Sequence, residues 1–169
     1  MKRAIFAAVA QVSGVTLIVK PHPLEDVAET RASVVDHSRV IFADPKEDIR
    51  PLVSACDAFF TLGSTATLDG LIMGKPTVCP AFPGWLFSDA FVLTGAVAVP
   101  RTENEIVLAV REIVENGGVN ILQRHADKCS EYLASVVRDG GRGASRRIAD
   151  LLNTLGRQYE QKRQAAQNE

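Results

Sequence analysis

Lys20-Pro21-His22-Pro23 sets an imidazole between two prolines, directly after the apolar run Val15-Thr16-Leu17-Ile18-Val19. Each proline fixes its own φ, so the backbone on both sides of His22 is stiff and the ring has a restricted range. An imidazole held this way can donate a hydrogen bond to a phosphate oxygen or serve as an acid, which makes His22 the candidate catalytic residue. The plainer alternative is a strand-ending turn that carries a surface histidine. A second feature is Gly63-Ser64-Thr65, which follows the run Ala58-Phe59-Phe60-Thr61 and opens a helical pattern. The start of a helix offers free N–H groups and partial positive charge, a ready site for an anion. Gly63 lets a ligand approach the backbone, and the two hydroxyls add hydrogen bonds to phosphate. Simple N-capping by Ser64 or Thr65 explains the same residues. Third, Asp69 lies one turn into that helix, where a carboxylate can accept from ribose hydroxyls or merely offset the helix dipole.

Together these features are more specific than any one of them. In an open parallel sheet, ligands bind beyond the carboxyl ends of the strands. His22 and Ser64-Thr65 both follow strand-like runs, so they are expected to converge on one crevice suited to a phosphate or diphosphate. Neither GxxxxGK[ST] nor a GxGxxG after a strand occurs, which argues against a P-loop and against a nicotinamide cofactor. No metal or other cofactor is required, because the helix start and the donors can neutralise an anion. Trp85, in Phe82-Pro83-Gly84-Trp85, suits either a sugar or base contact or core packing. Arg142, Arg146 and Arg147 read as a solvated basic cluster, and His37 and His125 as ordinary surface or half-buried residues.

The elements that must position these groups alternate short β-branched runs with helical patterns, which predicts an α/β fold with a parallel sheet covered by helices. Strands are expected at 15–19, 39–43, 58–61, 76–79 and 97–99, and helices at 2–12, 24–34, 44–56, 64–73, 102–116, 119–137 and 143–158. Thr102 with Glu105 three residues on forms a capping-box pattern. Residues 1–158 are read as one Rossmann-like domain with about five strands and helices on both faces. Residues 159–169 are read as a polar tail that frays. A doubly wound domain normally begins with a strand, whereas this chain begins inside the first helical pattern. The runs at 15–19 and 58–62 would then lack a shared neighbour. They are expected either to pair directly or to leave a place that another chain fills, since buried unpaired backbone groups are costly. A smaller fold in which the two strands always adjoin is the alternative.

Composition narrows the partners. With 169 residues the chain suits one domain, and its formal charge of −1 gives no basic footprint for a nucleic-acid backbone. No apolar run reaches the roughly 18 residues of a membrane span, although contact with a membrane surface stays open. Cys56, Cys79 and Cys129 are odd in number and widely spaced, which disfavours a disulfide framework or zinc site and fits a reducing cytoplasm.

The order KPHP, then DIRPLVSACDAFFTLGSTATLDGLIMGKPTV, resembles the C-terminal domain of two-domain GT-B glycosyltransferases. The likeness is greatest to enzymes of capsule, teichoic-acid and lipopolysaccharide assembly, including glycerophosphotransferases that use CDP-glycerol and transferases that use CMP-linked acidic sugars. It covers about residues 1–155, is sharpest over 57–79, and includes DGGRGASRRIADLL near the end. The resemblance implies a Rossmann-like half of a GT-B fold lacking its usual first strand. It implies that His22 contacts the donor phosphate, that Gly63, Ser64 and Thr65 bind the donor phosphates, and that Asp69 holds the ribose. The donor would be a CDP-, CMP- or UDP-linked sugar or polyol. The partner would be an N-terminal acceptor-binding domain or another chain, without which the domain turns over nothing. The family usually has glutamate where Asp69 stands. A related pattern occurs in UDP-N-acetylglucosamine 2-epimerases, but these carry a Ser-Gly-Gly turn and paired glutamates that Gly63-Ser64-Thr65 and Asp69-Gly70 match poorly. An epimerase-like domain therefore ranks second, and a non-catalytic binding or assembly module of the same fold third.

Overall fold

The computed structural model describes residues 1–84, 89–137 and 141–167. It divides into two units, Met1–Tyr132 and Leu133–Glu169. In chain order the first unit holds α1 (Lys2–Gln11), β1 (Leu17–Val19), α2 (Val27–Ala32), β2 (Val40–Phe42), α3 (Ile49–Ala55) and β3 (Phe59–Phe60). These are followed by α4 (Thr67–Ile72), β4 (Thr77–Val78), α5 (Asp89–Val92), α6 (Glu103–Asn116) and α7 (Val119–Val136), whose last residues belong to the second unit.

The expected five-stranded Rossmann-like sheet is not what the chain forms. Among the described residues 57% are helix and 7% strand, and the sheets there are two separate parallel ladders of two strands each. β1 pairs with β2 in the register Leu17↔Val40, Ile18↔Ile41, Val19↔Phe42, and β3 pairs with β4 through Phe59↔Thr77 and Phe60↔Val78. The run at 97–99 contributes a single bridge, Ala98 to Val78, rather than a strand. The physical reason lies in pairing. An apolar β-branched run marks a segment able to extend, but a strand exists only as far as a neighbour satisfies its backbone. β1 and β3 each have one partner and do not bond to each other, so each ladder stops after two or three residues.

The core sits between α1 and α6. Ala4, Ile5, Ala8 and Val12 of α1 and its cap meet Ile106, Val107 and Val110 of α6, and Leu17, Phe60 and Leu62 pack against them from the strand side. α6 starts as its sequence dictates: the Thr102 hydroxyl accepts from Glu105 N at 3.2 Å, while the Glu105 carboxylate accepts from Arg101 N at 2.6 Å. α1 ends under a side chain from the entry to β2, since the Arg39 guanidinium donates to Val12 O at 2.6 Å and Ala10 O at 2.8 Å. These bonds satisfy carbonyls that a helix end leaves open. On the other face of the β3–β4 ladder, α4 approaches so closely at Gly70 that a Cβ there would lie 2.7 Å from the Phe59 ring.

The second unit contains α8 (Ala144–Gln167), which carries helix through residues expected to fray. The segment 158–167 is rich in Gln, Lys, Arg, Glu and Ala, all good helix formers. Ile148, Leu151, Leu152, Leu155 and Tyr159 recur at helical spacing along α8 and are exposed.

Candidate functional site

The segment after β1 is built around His22. Pro21 is buried and His22 exposed. Leu24 N donates to His22 Nδ1 at 3.2 Å. A backbone N–H can only donate, so Nδ1 is the acceptor nitrogen and the neutral ring carries its proton on Nε2. Nε2–H is thus the group left for a ligand. His22 N in turn donates to Glu25 Oε2 at 3.4 Å, and the same carboxylate accepts from Lys2 Nζ and Thr30 Oγ1. Burial works to raise the Glu25 pKa, but the hydrogen bonds from Lys2, Thr30 and the His22 backbone outweigh it and hold the carboxyl below its ordinary range. The loop that carries His22 is in this way fastened to the first turn of α1. The prolines alone do not set its position, and no sequence pattern links Lys2 to Glu25.

The segment after β3 is a tight turn. Gly63 has φ 82°, a left-handed conformation that glycine adopts without a Cβ penalty. Thr67 N donates to Ser64 O at 2.9 Å, Leu68 N to Thr65 O at 3.0 Å and Asp69 N to Ala66 O at 3.0 Å, so α4 is entered through three-residue turns. Ser64 Oγ accepts from Ala66 N at 3.3 Å and so closes a turn ahead of α4, whose N-cap is Ala66 and has no side-chain cap bond; neither Ser64 nor Thr65 caps the helix. Deeper in, Thr67 Oγ1 donates to Ser64 O at 2.6 Å and meets Thr61 Oγ1 at 3.0 Å in the interior. Gly63 N–H points inward to the Cys79 thiol, whose pKa burial raises and this bond partly restrains. Cys79 is fully buried and structural. Among the described residues, the N–H groups of Ser64 and Thr65 have no acceptor, and both side chains are exposed. α4 itself has only six residues, so its macrodipole is small and the anion-binding capacity of this turn lies in its free N–H and hydroxyl groups.

Asp69 is half-buried in the first turn of α4. It belongs to a series of charges that no sequence motif announces. Asp48 caps α3 by accepting from Arg50 N at 3.1 Å and pairs with the Arg50 guanidinium, Nη2 to Oδ2 at 2.6 Å. Hydrogen bonds from Arg50 bring the Asp48 carboxyl from its ordinary 3.8 down to about 2, with Lys20 assisting through its field. The Asp48 hydrogen bond raises the Arg50 pKa in turn, and Asp69 adds to it at longer range. Lys20 also donates to Pro45 O at 2.9 Å. Lys20 and Asp69 act on the Asp48–Arg50 pair only weakly and at longer range, and among the described residues no hydrogen bond or ion pair joins the His22 loop to the Gly63 turn. The local signal that could have exposed the pair is Asp48-Ile49-Arg50, an N-cap followed by its own counter-ion.

Asp48 titration checks the pairing with Arg50. The depressed pKa means that the pair contributes to stability above the ordinary pKa of 3.8, and that the contribution is lost as pH falls through about 2. Carbon-detected NMR should place the Asp48 midpoint near 2, and Arg50→Gln should return it toward 3.8. A midpoint near 3.8 in the unaltered chain would show that Arg50 is not seated on Asp48.

Other candidates lie apart. A shallow cleft of about 220 Å³ is lined by Pro100, Glu105, Leu108, Glu112 and Arg124, among others, and shares no residue with either segment. Arg124 is engaged there by Glu112 at 2.8 Å. Among the described residues no group of three or more His, Cys, Asp or Glu side chains is placed to hold a metal, and no helix is long and apolar enough to cross a membrane. His125 sits against Gly95 O at 2.8 Å. Trp85 falls outside the described residues. No protein-family model matches the chain, and a search of curated proteins likewise finds no match.

Proposed function

We propose that the chain is the donor-binding domain of a transferase that uses a nucleotide-activated sugar or polyol in surface-polysaccharide assembly. The observation that carries this reading is the turn at 63–66. Among the described residues it offers two backbone N–H groups without acceptors and two exposed side-chain hydroxyls. Successive free N–H groups in a turn suit the oxygens of a phosphate. His22 Nε2–H adds a donor that gains strength as negative charge develops on a departing nucleotide. Asp69 supplies a carboxylate for ribose hydroxyls. The acceptor and its binding groups come from a companion domain or chain, so the isolated chain binds nucleotide and turns over nothing. A reducing cytoplasm, where nucleotide-linked donors are made and three widely spaced cysteines stay reduced, is the compartment this reading assigns.

Titration of the isotope-labelled full chain with CMP, CDP, UMP and UDP, and with cytidine and uridine, tests it. Amide shifts are expected at Ser64 and Thr65 with every phosphate-bearing ligand. His22→Ala is expected to weaken the nucleotides by about tenfold, the effect of one lost charge-assisted hydrogen bond, and to leave the nucleosides unchanged. Equal weakening of both would make His22 a structural residue. No shifts at millimolar nucleotide would favour a non-catalytic assembly module.

A further inference from the structure

We propose that α8 lies along the surface of an anionic lipid bilayer, with its apolar stripe at the boundary of headgroups and acyl chains and its cations against the lipid phosphates. Ile148, Leu151, Leu152, Leu155 and Tyr159 fall within an arc of about 100° at 3.6 residues per turn. All five are exposed, from 51% at Leu155 to 70% at Tyr159. Arg146, Asp150, Asn153 and Arg157 occupy the opposite side of the helix. A polar helix with one apolar stripe is the form that settles in an interface plane. Tyr159 suits that depth, since its ring is apolar and its hydroxyl is wet.

Charge selects the occupant. α8 carries five cations, Arg146, Arg147, Arg157, Lys162 and Arg163, against two acids, Asp150 and Glu160, in a chain whose formal charge is −1. The positive excess is thus gathered on the helix that bears the exposed stripe. Lys162 and Arg163 follow Tyr159 by about one turn, near the two borders of the stripe, and both are exposed. Long stems of this kind lie along an apolar surface while the charge reaches a phosphate. Both acids stand away from the stripe. A second copy of α8 covers the apolar side chains but sets a second positive excess against the first, which like-charge repulsion opposes. An anionic bilayer takes both the apolar side chains and the cations. Among the described residues no helix is long and apolar enough to cross a membrane, so the contact runs along the surface. This inference rests on α8 alone and is independent of the nucleotide site.

Flotation of the full chain with vesicles tests it, using phosphatidylcholine alone and phosphatidylcholine with about 30% phosphatidylglycerol. Binding to the anionic vesicles is expected to be about tenfold tighter or more, and to fall about tenfold between roughly 0.1 and 0.5 M salt. Leu152→Glu and Asn153→Glu add the same charge at neighbouring exposed positions, the first on the stripe and the second on the far side. Leu152→Glu should weaken binding about tenfold or more, and Asn153→Glu by no more than about threefold. Thermal unfolding shows whether each variant keeps its fold. Should Leu152→Glu lower the midpoint, the double variant Lys162→Gln, Arg163→Gln carries the test, with about a tenfold loss on anionic vesicles. Equal binding to both compositions, no binding to anionic vesicles at millimolar lipid, equal losses for the two glutamate variants, or no loss for the double variant overturns the proposal. Sedimentation that shows a dimer of the full chain, dissociated by Leu152→Glu, overturns it equally and makes the stripe a contact between copies.

Discussion

Ile106→Ala is expected to destabilise the chain by about 2–5 kcal/mol, the range for emptying a fully buried aliphatic site. Ile106 has 0% exposure and stands in the middle of the α1–α6 contact, with Val107 and Val110 beside it and Ile5 and Ala8 opposite. That loss is a large part of the roughly 5–15 kcal/mol that holds a domain together. Its consequence reaches the candidate site, because Leu17 before the histidine loop and Leu62 before the Gly63 turn pack on the same cluster. Urea unfolding followed by circular dichroism should show a lower midpoint with an unchanged slope. Ile106→Val, which removes one methylene, should cost about 0.5–1.5 kcal/mol. A loss under about 1 kcal/mol for the alanine variant would mean that α6 does not carry this core.

Gly118→Ala is expected to cost nearly as much for a different reason. Gly118 has φ 71°, and a Cβ there would meet Pro76 Cγ at 2.7 Å and Cβ at 2.8 Å. The left-handed conformation costs a non-glycine residue about 1–2 kcal/mol. Overpacking against a pyrrolidine ring that cannot swing aside adds about 1–3 kcal/mol. Pro76 O accepts from Phe59 N, so a displaced ring disturbs the β3–β4 ladder as well as the α6–α7 connection. Gly117→Ala separates the two contributions. Gly117 has φ 68° but nothing within 4 Å of the added Cβ, so only the conformational cost applies. Thermal unfolding of both variants checks this, and equal losses would remove the close contact with Pro76 from the explanation.

Local features are legible in the sequence where a few neighbouring residues decide them. Thr102 caps α6 as its spacing with Glu105 implies, and the long apolar-periodic segments at 103–116 and 119–136 are helices. The start of α3 lies later than Asp44-Pro45 suggests: Asp44 caps a separate turn by accepting from Lys46 N, and Asp48 begins the helix. Both aspartates bear an N-cap signal, and only the packing of the residues after each one tells them apart. The sheet is not legible, because the run Val15–Val19 looks the same whether it has one neighbour or two, and pairing is a long-range property. Of the candidate site, residue types and loop positions are readable, while Lys2–Glu25 and Lys20–Pro45 join residues more than twenty positions apart and carry no pattern.

Thr61 and Thr67 place two hydroxyls in a region closed to water, one on the chain leaving β3 and one at the start of α4. Thr67 Oγ1 donates to Ser64 O, which leaves Thr61 Oγ1 as the donor to Thr67, so the Thr61 hydroxyl is satisfied only while the helix start stays against the strand end. Ser64 and Thr65 are the loop between these two anchors, and it spans a fixed distance. On the proposed reading, a phosphate-bearing guest there would spend little of its affinity on ordering these donors.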